Sequence, residues 1–129
     1  MFKLLAMDKG NTPIIKQLTP AAATYAVGEV AAVAPATGYL TKVSGTAVPT
    51  YVVVEKGTKT TADTISVQPI YKDQEYLTTL AVNGTLVPGT KVTIHTDSAS
   101  VTSTTTSGVA TVVEAMGTTS GSEVIVKFE

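Results

Sequence analysis

Few residues of this chain can do chemistry. His95 is its single histidine, and the 129 residues include no Cys, no Trp and no Arg. His95 is the one side chain whose ordinary pKa lies near neutrality. It stands in Lys91-Val92-Thr93-Ile94-His95, where alternation groups it with Lys91 and Thr93, opposite Val92 and Ile94. That position predicts a solvent-facing strand residue. Asp97 and Ser98 follow closely, but a nucleophilic triad needs base, orienting acid and nucleophile to converge. Alternation followed by a turn does not assemble them, and no strand–Gly-x-Ser-x-Gly–helix elbow is present. One imidazole and no thiolate exclude a metal site built on those ligands. Asp73 and Glu75 are the nearest acidic cluster; it lacks the density of a calcium loop and reads as a solvated turn. The ten acids are scattered, mostly beside turns, and single out no carboxylate pair for glycoside chemistry. The glycines occur singly, without a phosphate-binding or dinucleotide fingerprint. The five tyrosines are spread along the chain, four of them on separate predicted strands, which favours core and subunit packing over a stacking platform. The expectation is a non-enzyme with no catalytic residue, cofactor or metal.

The elements that carry these residues read as strands. Thr, Val, Ala and Gly fill the chain, and β-branched side chains pack well on a pleated sheet. Predicted strands are Tyr25–Val33, with Gly28 as a possible bulge, Tyr39–Val43, Thr50–Glu55, Thr64–Gln68, Glu75–Val82, Lys91–His95, Gly108–Met116 and Glu123–Phe128. Thr50–Glu55 is a continuous apolar run, as expected of a strand covered on both faces. Pro69 makes the preceding strand an edge, or bends it there. Val124, Val126 and Phe128 alternate toward a core. The Lys56-Gly57-Thr58 and Asn83-Gly84 segments read as turns, and Thr102–Ser107 as an exposed strand or a loop. A short helix near Pro20–Ala23 is the one helical possibility. Strands at this spacing predict an all-β compact barrel or sandwich, mostly antiparallel.

Residues 1–24 differ in character from residues 25–129, which form the single β domain. Pro13 and Pro20 flank an apolar stretch that includes Ile14, Ile15 and Leu18. Proline fixes φ and removes a donor, so residues 1–24 are expected to be an extended N-terminal arm. Ile14, Ile15 and Leu18 mark it as a docking element, by strand addition to a neighbour. Leu4–Met7 is too short for an export signal, and no window reaches transmembrane length. The formal net charge of −1 and only 15% charged residues argue against nucleic acid and against a polybasic membrane surface.

The order Tyr25-Ala26-Val27-Gly28-Glu29, Gly38-Tyr39-Leu40-Thr41-Lys42-Val43 and Pro49-Thr50-Tyr51-Val52-Val53 opens a recognisable rhythm. It closes with Val109–Glu114, the Gly117–Gly121 turn and Glu123–Phe128. Across residues 25–129 this resembles the head decoration, or capsid cement, proteins of tailed bacteriophages. The resemblance implies a compact β protein on the capsid exterior, made in the host cytoplasm. It also implies the phage major capsid protein as partner, self-association as a homotrimer, and no catalysis. The alternative reading is a β-sandwich binding module of a phage tail or fibre, or of a bacterial surface adhesin.

Overall fold

The computed structural model describes residues 1–7, 14–72 and 74–129, and it is all-β: the described residues contain no helix. Twelve strands follow in chain order: β1 Lys3–Met7, β2 Lys16–Leu18, β3 Ala23–Tyr25, β4 Val30–Val33, β5 Leu40–Lys42, β6 Tyr51–Val53, β7 Gly57–Lys59, β8 Ile65–Pro69, β9 Gln74–Thr79, β10 Lys91–Val92, β11 Ala110–Ala115 and β12 Glu123–Lys127. They form a five-stranded sheet β1-β9-β12-β11-β10, a second five-stranded sheet β2-β8-β6-β4-β5 and the ribbon β3-β7. Every pairing between these strands is antiparallel.

The second sheet is sandwiched between two apolar clusters. Along β4, Val30 enters one cluster and Ala31 the other; along β6, Val52 and Val53 divide in the same way. Adjacent residues of a strand point to opposite faces, so a strand buried on both faces must be apolar at consecutive positions. The run at Tyr51–Val54 meets that requirement. The larger cluster lies between the two sheets and joins Val30 and Val52 to Tyr76, Val92, Val112, Val124 and Val126. Phe128 stacks at a tilt on Tyr76 and on Phe2, with ring centroids 5.6 Å and 5.4 Å apart.

The second cluster fills the concave side of the second sheet, which closes on itself. After β2 pairs with β8, the same stretch of chain turns to β5. The Leu40 N–H donates to Thr19 O at 2.9 Å, and the Ala21 N–H donates to Leu40 O at 2.8 Å. Tyr25 lies inside this small barrel with Ala31, Leu40, Val53, Ile65 and Val67. Its single hydroxyl proton is shared between Ala21 O at 2.8 Å and Leu40 O at 3.1 Å, so the phenol ties the closing seam from within.

The described part of residues 1–24 is extended backbone, and it pairs within the chain. β1 lies against β9, β2 against β8 and β3 against β7. Phe2, 2% exposed, is a core residue. The expected strand at Tyr25–Val33 is divided: β3 ends at Tyr25, a turn follows, and β4 starts at Val30. Gly28, at φ +88°, sits in that turn instead of forming a ladder bulge. Lys56-Gly57-Thr58, expected as a turn, contributes to β7, with Gly57 opposite Tyr25. Pro69 ends β8 opposite Tyr51, where β2 no longer runs alongside. The missing N–H there faces no neighbouring strand. Pro13 lies outside the described residues.

Candidate functional site

The three residues expected to dock on a partner separate into two kinds. Ile14 and Ile15 are 53% and 54% exposed and immediately precede β2, the strand from which the chain runs on to the barrel's closing seam. Leu18 is only partly buried, but it packs against the cluster inside the barrel. Its place follows from β2 itself: Leu18 stands opposite Ile65, a fully buried residue. The structure therefore leaves Ile14 and Ile15 as free apolar surface beside a strand end, and assigns Leu18 to packing. Alternation in Lys16-Gln17-Leu18 is the signal that could have separated them, although three residues carry little of it.

His95 and Asp97 come closer than alternation suggested, with Nδ1 and Oδ1 3.5 Å apart. The carboxylate organises the whole turn. Asp97 Oδ1 accepts from the Ala99 N–H at 2.8 Å and the Ser100 N–H at 3.1 Å, and the Ser100 hydroxyl donates to Oδ2 at 2.8 Å. Ser98 adopts a left-handed φ of 58°, and its carbonyl accepts from the Val30 N–H at 2.8 Å, fastening the turn to the second sheet. Burial pushes the Asp97 carboxyl up, but these hydrogen bonds and the neighbouring His95 outweigh it and hold the group below the ordinary carboxylate range.

Chemically, the carboxylate sits between the imidazole and the hydroxyl. A nucleophile relay needs the imidazole in the middle, taking the hydroxyl proton. Here the hydroxyl hydrogen-bonds the acid directly, so the cluster builds a turn. Ser100, not Ser98, is the hydroxyl involved. The Asp-x-x-Ser spacing typical of side-chain-capped turns could have identified it.

Two other polar groups are tied into the fold. Glu29, 9% exposed, accepts from the Ala26 N–H through Oε1 and stands 3.4 Å from Lys42 Nζ. Lys42 also donates to Thr24 O at 2.9 Å and lies 5.6 Å from the centre of the Tyr25 ring. Lys59 meets Glu55 at 2.6 Å. No group of three or more metal-ligating side chains occurs among the described residues. Asp73, half of the expected acidic turn, lies outside them. An opening of about 300 Å³ is lined by Val48, Lys72, Lys91, Gly108, Val109, Phe128 and Glu129. Its charges are mixed in sign and its walls mainly apolar, so no convergent set of polar groups faces a ligand. Of the tyrosines, Tyr25 and Tyr76 are core residues and Tyr71 is 45% exposed.

The chain matches no protein-family description, no curated protein and no solved structure.

Proposed function

We propose that this protein is a non-enzymatic virion structural protein that binds the outside of a tailed-bacteriophage capsid and stabilises it. The observation that carries the reading is the pair Ile14 and Ile15. Two large aliphatic side chains, each more than half exposed, immediately precede β2 at the rim of the small barrel. Paired apolar side chains left exposed on a rigid rim suit docking against an apolar patch of a partner. The strand rhythm of residues 25–129, similar to that of capsid cement proteins, supports the same reading. So does the use of the polar clusters, which are spent on turns and seams.

The mechanism is passive. Each copy contributes a small contact to the major capsid protein, and symmetry multiplies it. A rigid wedge spanning two capsomers raises the barrier to their separation without any turnover.

The test is a double substitution, Ile14→Ser with Ile15→Ser, assayed by co-sedimentation with capsids stripped of the protein. Both side chains are exposed, so the melting temperature should stay within a few degrees of the parent. Capsid binding should fall by at least about tenfold. Undiminished binding would remove the proposed docking element. Truncation of residues 1–20 is not a clean test, because it would delete Phe2, β1 and β2 along with the isoleucines.

A further inference from the structure

We infer that the outer face of the first sheet pairs with the same face of a second copy of this chain, about a two-fold axis running along the strands. This inference stands on the strand register and does not rest on the capsid reading.

The inner face of β1-β9-β12-β11 packs on the larger core, leaving the alternate residues outward. Register fixes their positions. One row reads Lys3, Leu77, Ile125, Glu114 across the four strands. Continuing the β9–β12 register one residue past Tyr76 and Val126 brings Glu75 toward Lys127, and the row on the other side places Thr79 beside Glu123 and Met116. β1 and β11, which flank the β9–β12 pair, each carry a bulge, at Leu5 and Val113. Leu5 and Val113 are 48% and 36% exposed.

A two-fold axis lying in the interface between β9 and β12 places each residue over its counterpart across that line. Lys3 then meets Glu114 of the copy, and Glu75 meets Lys127. Leu77 meets Ile125, and Leu5 comes over Val113. These two pairs of charges oppose their complements, Glu123 comes over Thr79, and apolar side chains meet in the middle. Turning the axis to run across the strands would instead stack Lys3 on Lys3 and Glu114 on Glu114. Like charges held opposite each other are destabilising, so the chemistry selects the first arrangement. Lys3, Glu75, Glu114 and Lys127 make no ion pair with any described residue of their own chain.

Shape agrees with charge. A hollow of about 170 Å³ is lined by Met1, Lys3, Leu77, Thr78, Thr79 and Glu123. Across the axis from it stands Met116, 51% exposed, an adaptable side chain suited to such a gap. The face covers on the order of 400 Å² per copy, from strand and residue spacing. That is about half the usual share of a stable interface, so pairing is weak and concentration-dependent. It is a two-fold contact, distinct from any three-fold ring.

Sedimentation velocity on the full chain, from about 20 µM to about 1 mM, reads the pairing directly. The sedimentation coefficient should climb toward that of a dimer. Lys3→Glu and Glu114→Lys, both at exposed positions, should each weaken association about tenfold or more, because each sets like charges together twice. The double swap should recover it to within about threefold, an effect that a merely structural role for either residue would not produce. Met116→Lys should weaken pairing independently. A chain that stays monomeric throughout, or association unmoved by the single swaps, or a double swap without recovery, would overturn the inference.

Discussion

Asp97 shows how single polar residues are used in this protein. One carboxylate holds two backbone N–H groups and one hydroxyl, stabilising a turn that contains a left-handed serine. A depressed carboxyl pKa means that the folded state prefers the ionised form. Its contribution is therefore fully present at neutral pH, above the unfolded value of about 3.9, and is lost as pH falls through the lower folded value. Asp97→Asn keeps an acceptor for the two amides but loses the charge. It should cost about 1 kcal/mol at pH 7, after allowing for the side chain's partial exposure. Urea denaturation at pH 7 and pH 3 should show the gap between variant and parent closing at the acid end. A gap that persists unchanged at pH 3 would mean that the charge contributes nothing. The sequence made His95, Asp97 and a nearby serine visible as a group. It did not show their order in space, because the turn reverses the chain between them and hands the hydroxyl role to Ser100.

At the scale of elements, β1 decides what the N-terminal segment is. Phe2 and Leu4 face the larger core, and the Phe2 N–H donates to Gly28 O at 2.8 Å. Phe2→Ala should lower stability by about 3–4 kcal/mol through the cavity it leaves. Ile14→Ser, on exposed surface, should change it by no more than about 0.5 kcal/mol. Denaturant midpoints of the two variants measure the difference; equal midpoints would mean that β1 is not part of the folded unit.

The strands that alternation marks over four or more residues, such as β9, β11 and β12, were legible in the sequence, as was the doubly covered β6. Val124, Val126 and Phe128 are buried as alternation requires. The short strands β2, β3 and β7 were not legible. Three residues cannot display a period, and their partners lie far along the chain, as with Thr24 opposite Thr58. For β1 the obstacle was distance alone, with Lys3 opposite Leu77. Ile14, Ile15 and Leu18 looked equivalent in sequence because composition alone does not tell which of three apolar residues faces the barrel interior.

As a whole, the described molecule is two apolar clusters sharing one middle sheet, with its buried polar clusters at Asp97 and Glu29 committed to turns. Such a body suits a role in which shape and rigidity matter. The proposed role as capsid cement makes a stoichiometric demand that neither a tail protein nor a free binding module shares. Decoration covers a shell, so the number of copies must follow the number of capsomers. The most direct measurement is quantitative mass spectrometry of gradient-purified phage particles from the source, with this chain counted against the major shell protein. The account predicts a copy number of the same order as that of the shell protein. A chain present in the infected cells but missing from the particles would contradict it.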